Sequence, residues 1–126
     1  MKLAFMNIQK AIYDRLKNNL TYEIYDSVPH GAKFPYIVLG ESTNIDFSTK
    51  VEKGHEITYT IHIWSEYEGY KELNEMASNV LRVITDEDLI IDGFHMVMTA
   101  IDMVENMRDP EGYRHCVIRL RFKIQE

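Results

Sequence analysis

Cysteine is almost missing from this chain of 126 residues. Its single copy, Cys116, has no partner for an internal disulfide, so nothing ties folding to an oxidising compartment. Basic charge is also in short supply: 14 Lys and Arg against 20 Asp and Glu give a net charge of −6, which argues against a phosphate backbone as the main partner. No long hydrophobic run exists, and Met1–Phe5 carries one lysine and only a brief apolar run before polar Asn7, Gln9 and Lys10, too short a stretch for a signal peptide or a membrane span. Proline occurs three times and glycine six, and the prolines stand in a loop at Pro29, ahead of an apolar run at Pro35 and in a turn at Pro110. There is no internal repeat and no low-complexity tract. With 45% hydrophobic residues, what is present suffices for a single domain spanning residues 1–126 with one core, expected to be soluble and cytoplasmic when made.

The stretch from Gly54 to Ser65 organises the rest. Ile57, Tyr59, Ile61 and Ile63 alternate with Glu56, Thr58, Thr60 and His62, the two-residue period of a half-buried strand, and its β-branched and aromatic composition without proline predicts a central strand. Ahead of it, Phe5, Ile8, Ile12, Leu16 and Leu20 predict an amphipathic helix, Thr21–Tyr25 a short extended piece, and Tyr36–Gly40 a buried strand. Behind it, Ser65 and Glu68 have the spacing of a capping box, and Tyr70, Leu73, Met76, Ala77, Val80, Leu81 and Ile84 carry a second helical period. Leu89–Ile91 reads as a short strand, Asp92-Gly93 as a hairpin turn into Phe94–Met107, and Asp109–Gly112 as a further turn. The last strand turns Cys116, Ile118, Leu120, Phe122 and Ile124 to one face and Val117, Arg119, Arg121 and Lys123 to the other.

Two helices and a run of strands joined by hairpin-type turns predict an α+β domain: an antiparallel or mixed β-sheet with two helices packed on one face. The expected core is Ile8, Ile12, Leu16, Ile37, Leu39, Ile57, Ile61, Ile63, Leu73, Ala77, Val80, Leu81, Ile118, Leu120 and Phe122. Residues 42–53 stand out as a long polar loop or arm, either an extended hairpin or a mobile binding loop, with Phe47 as an isolated apolar residue and Lys50 beside it.

Chemistry is harder to find. His30, His55, His62, His95 and His115 form no close-spaced pair on a helix and join no cysteine pair, so a metal or acid–base role lacks its spacing. Asp86, Glu87 and Asp88 lack the glycine and alternating ligands of a calcium loop and read as a solvated acidic turn. Ser65 does not sit between glycines as a strand-to-helix nucleophile does. Cys116 falls on the apolar parity of its strand, the place of an unreactive filler. No catalytic residue, cofactor or metal is expected. What remains are surfaces. Arg119, Arg121 and Lys123, with Arg114 and with Arg108 across the turn, form either a basic stripe facing an acidic partner or a solvated face paired with neighbouring acids. Eight tyrosines, several near element ends, suit half-buried packing or protein contact.

Three stretches carry a family likeness. Tyr25-Asp26-Ser27-Val28-Pro29-His30-Gly31-Ala32 with Pro35–Gly40, then Ile61-His62-Ile63-Trp64-Ser65, then Arg108–Gly112 ahead of Arg119-Leu120-Arg121-Phe122, together resemble the small tail completion proteins of long-tailed bacteriophages and prophages, also called tail terminator or tail-to-head joining proteins. The likeness runs from about Asn7 to Phe122. It implies a virion structural protein, an α+β protomer forming a ring, typically a hexamer, on the head-proximal end of the tail tube, where it ends tube growth and joins tail to head. The implied partners are further copies of the chain, the tail tube protein and a head-neck connector protein. DNA would only pass through the lumen, and no membrane is involved. The implied location is the host cytoplasm at synthesis and the virion tail after assembly. The contact residues expected on this reading are Phe47, Lys50, Arg108, Arg119, Arg121 and Lys123. Competing readings are another neck or tail-assembly adaptor of the minor connector kind, and a small metal-dependent hydrolase using His30, His55 or His62.

Overall fold

A computed structural model describes residues 2–126. The element order is α1 (Phe5–Asn19), β1 (Glu23–Tyr25), β2 (Tyr36–Asp46), β3 (Gly54–Ser65), α2 (Lys71–Thr85), β4 (His95–Arg108) and β5 (Arg114–Gln125). The strands make one sheet in the order β1-β2-β3-β5-β4. β1 runs parallel to β2 and every other neighbouring pair is antiparallel, so the sheet is mixed and the domain is α+β. β3 holds a central place, with Ile61 opposite Leu39 on one side and Ile118 on the other.

Period explains the layers. On α1, Ile8, Ile12 and Leu16 fall four apart and are all buried, one stripe of a 3.6-residue helix. On α2, Leu73, Met76, Ala77, Val80, Val83 and Ile84 do the same at spacings of three and four. Both stripes cover the sheet face formed by Ile37 and Leu39 of β2, Ile57, Tyr59, Ile61 and Ile63 of β3, and Cys116, Ile118, Leu120, Phe122 and Ile124 of β5. Among the described residues, none forms a layer over the opposite face of the sheet.

The structure moves several sequence expectations. β2 runs on through a bulge at Gly40-Glu41 as far as Asp46, pairing Ser42 with Tyr59 and Asp46 with His55, so residues 42–46 are strand and the turn occupies only 47–53. A polar strand of this kind hides from hydrophobic periodicity because half of it lies outside the core. The capping box does not form: α2 starts at Lys71, and the Ser65 hydroxyl instead donates to Glu72 Oε1 at 2.6 Å while accepting from the Tyr67 amide at 3.1 Å. Leu89–Ile91 is no strand. Leu89 and Ile91 are buried in the core, and the Asp92-Gly93 turn therefore joins a loop, not a strand, to β4. Leu81 is only half buried, while Tyr59, Met76, Val83, Ile84 and Phe94 join the core.

Polar groups close the ends of the elements. Three backbone carbonyls at and after the end of α2, those of Val83, Glu87 and Asp88, accept from the Arg15 guanidinium at 2.8–3.0 Å, which satisfies orphan carbonyls and fixes the acidic turn against α1. At the other end of α1, a chain of bonds crosses the molecule. The Ala4 amide donates to Asn44 Oδ1 (2.9 Å), Asn44 Nδ2 donates to His55 Nδ1 (2.8 Å), and His55 Nε2 donates to Glu126 Oε2 (2.8 Å). His55 is buried, and these two bonds fix its neutral tautomer. The bond from His55 also holds the Glu126 carboxyl below its ordinary range.

Candidate functional site

The uncovered face of the sheet gathers most of the residues singled out from sequence. Arg119, Arg121 and Lys123 occupy alternate positions of β5 and form one row on it, level with Met103, Ala100 and Met98 of β4. The row is partly answered by acids: Arg121 Nη1 lies 3.5 Å from Glu56 Oε1, and Arg119 Nη1 lies 3.9 Å from Asp102 Oδ2. Both pairs are half exposed, the setting in which an ion pair contributes little. Lys123 reaches another expected residue, its Nζ standing 4.8 Å from the ring centre of Phe47. Phe47 closes the β2–β3 hairpin through its amide, which donates to the Gly54 carbonyl at 2.8 Å, yet its side chain is 55% exposed.

The structure does not bring all six residues together. Lys50 lies at the exposed apex of the hairpin, where Asp46 Oδ1 accepts from the Ser48 amide and the Thr49 hydroxyl accepts from the amides of Val51 and Glu52. Arg108 sits at the far end of the sheet, opposite Arg114. That end is tied by Asp109, whose Oδ1 accepts from the amides of Glu111 and Tyr113, and Gly112 takes a φ of +95° to complete the turn.

Sequence reasoning missed a band of rings across the same face. Tyr25 meets Tyr36 edge-on at 5.7 Å, Phe34 stacks on Tyr36 at 5.1 Å and on Tyr113 at 4.6 Å, and Trp64 stacks on His115 at 3.9 Å with planes 8° apart. His115 in turn bonds His62, Nε2 to Nδ1 at 2.8 Å, and His62 Nε2 donates to Glu41 Oε1 at 2.8 Å. With His62 donating to the carboxylate, its Nδ1 is left to accept from His115 when the pair is neutral. The bond from His62 lowers the Glu41 carboxyl below its ordinary range, and burial, followed by the neighbouring His62, lowers His115. The available signal was the outward parity of His62 and Trp64, which cross-strand pairing with His115 and Val117 turns into contact.

The remaining candidates are structural. Burial alone pushes the Cys116 thiol up to about 11, the behaviour of a core filler, and burial drives the Tyr59 phenol up to about 12. His30 and His95 are exposed. Among the described residues, no three His, Cys, Asp or Glu side chains are grouped to hold a metal ion, and no helix is long and apolar enough to cross a membrane.

Fold and surfaces together define a two-layer α+β protomer whose sheet offers one uncovered face of rings and paired charges. The particular family follows from the comparisons: the family described as Tail completion protein gp17 matches residues 10–125, and the chain belongs to it. It is 28% identical over 129 residues to Tail completion protein gp17 of Bacillus phage SPP1, covering 98% of this chain and 96% of that protein. The solved structure of bacteriophage SPP1 gp17 superposes with a TM-score of 0.63 at 28% identity, over 96% of this chain and 91% of that one. A chain in the virion of a native gene transfer agent particle shares the fold over the full length of both, with a TM-score of 0.90 at 19% identity. The chain is thus a bacteriophage tail completion protein by family and a virion structural protein by relationship.

Proposed function

We propose that this chain closes into a ring, a hexamer, on the head-proximal end of a phage tail tube, ends tube growth there and joins tail to head. The observation that carries this reading is the near full-length match to a tail completion protein. On this reading the protein acts by contact and not by catalysis. Its partners are neighbouring copies, the tail tube protein on one side and a head-neck connector on the other, and it passes from the host cytoplasm into the virion tail. A closed ring lets one heterologous interface repeat around the circle while its two rims stay different. Phe47, Lys50, Arg108, Arg119, Arg121 and Lys123 are the contact residues of this proposal. Six copies at −6 each would carry −36, and like charge around the lumen would let DNA pass without sticking.

Electron microscopy of particles bearing a tagged copy tests the assignment. The expected result is a six-fold ring of label at the head end of the tail, with overlong or headless tails when the gene is deleted. Label between that ring and the portal would instead indicate a connector.

A further inference from the structure

Among the described residues, two flanks of the sheet have no partner strand. β4 is the last strand on one side for its whole 14-residue length, and not one of its residues is buried. On the other side β1 pairs only with Tyr36–Val38, so β2 continues from Leu39 to Asp46 with nothing hydrogen-bonded to its outer flank. A free flank is a row of unpaired backbone donors and acceptors that attracts other strands unless it is blocked. β4 has neither the lysine nor the proline that commonly blocks one, and its Ile101 and Val104 are 47% and 42% exposed. Because β2, β3, β5 and β4 alternate in direction, β4 runs opposite to β2. Extending the sheet of one copy into that of the next, helices on the same side, therefore sets β4 antiparallel against β2.

We propose that Met103–Arg108 in β4 of one copy pairs antiparallel with Gly40–Ile45 in β2 of the next, a head-to-tail contact that makes one continuous sheet around the assembly. The proposal rests on the ring reading above and names its interface. A second copy is the fitting occupant because a single repeated contact satisfies both flanks, whereas β4 paired with β4 about a two-fold axis leaves β2 open. The bulges at Val97 and Asp102 confine the regular part of β4 to Met103–Arg108 on its C-terminal side, and β1 blocks β2 up to Val38. Opposed residues must share a face. Met103, Glu105 and Met107 lie on the uncovered face with Thr43 and Ile45, while Val104 and Asn106 lie on the helix side with Ser42 and Asn44. The register that halts Arg108 at Gly40 sets Met103 opposite Ile45, Glu105 opposite Thr43 and Asn106 opposite Ser42. Met103 then meets apolar Ile45, and Glu105 and Asn106 meet polar Thr43 and Ser42, while Val104 faces Asn44 and Met107 faces Glu41.

The test uses assembled particles carrying Thr43→Cys with Glu105→Cys, treated with a short bismaleimide; native Cys116 is buried and does not compete. A ladder of cross-linked chains up to the closed ring, absent from either single variant, is the expected result. Ile45→Cys with Met103→Cys serves as the second pair if the first lowers assembly. No ladder from either pair in particles whose ring is visible by microscopy overturns this interface and leaves the ring reading standing. Dimers from Glu105→Cys alone also overturn it, in favour of β4 against β4. Wild-type particles without a ring overturn the ring reading itself, and with it the head-to-tail contact.

Discussion

Gly40 is the residue on which the outer-face network turns. A Cβ there would stand 2.7 and 2.8 Å from the Cδ2 and Nε2 atoms of His62 and 3.1 Å from the Thr60 carbonyl oxygen, so alanine must displace the ring that Glu41 holds. Gly40→Ala is expected to destabilise the fold by about 1–3 kcal/mol, the usual range for overpacking, and His62→Ala in the same chain should recover much of that loss. Chemical denaturation of the two single variants and the double variant measures it; additive losses would separate the two residues. His115 gives a pH dependence of known sign. Burial, with the neighbouring His62 next, holds it below its ordinary range and outweighs Asp109 and Glu41, which favour its charged form; Trp64 stacks on its ring. Well above the ordinary imidazole range folded and unfolded states are both neutral there, and as pH falls into it the unfolded state takes up the proton first, so stability declines. Thermal melts should drop between pH 7.5 and 5.5 and drop less in His115→Gln. The depressed carboxyls of Glu41 and Glu126 lose their contribution only at lower pH, as their own range is crossed. At the middle of β3, Ile61→Asp places a charge inside the core and should unfold the domain. Parity alone makes Thr60 a tolerant position, but it is only 7% exposed, so Thr60→Asp is expected to be costly as well, with Thr60→Val mild. A mild Thr60→Asp would mean that its surroundings open readily to water.

At the scale of elements, the β2–β3 hairpin divides into two parts. Ser42–Asp46 is laddered to β3, and the tip is held by short turns through Asp46 and Thr49 with Val51 93% exposed. Hydrogen exchange on the free protomer should show protection at the laddered amides of Ser42–Asp46 and rapid exchange at Lys50 and Val51, with the tip slowing only in assembled tails. Slow exchange at the tip of the free protomer would remove the case for ordering on assembly. The helix ends are secured from a distance, α2 by Arg15 and α1 by Asn44, and neither partner follows a local capping pattern.

For the whole molecule, the basic row of β5 is the clearest test of surface against fold. Arg119→Glu with Arg121→Glu breaks two half-exposed ion pairs, and the protomer should stay within about 1 kcal/mol of wild type per pair in a denaturant titration. Infectious particle yield in a complementation assay should fall sharply in the same variant, because reversal sets like charges against the partner surface. Normal yield would take the row out of any interface. Salt-sensitive binding of the wild-type protein to duplex DNA would count against a lumen that repels its cargo.

Hydrophobic period by itself determined the two helices, the central place of β3, the inward residues of β5 and the α+β class, because a buried stripe at a spacing of two or 3.6 residues has only one way to face a core. Family likeness was legible too, since turn and strand residues at fixed separations survive in the chain itself. Tertiary structure alone decided the rest. The length of β2 past Gly40, the ring band from Tyr25 to His115 and the meeting of Phe47 with Lys123 all join residues far apart in sequence, through cross-strand register that no local window contains. The same holds for the open flanks of β2 and β4: composition shows an apolar strand, but only the order of strands in the sheet shows which strand is left without a neighbour.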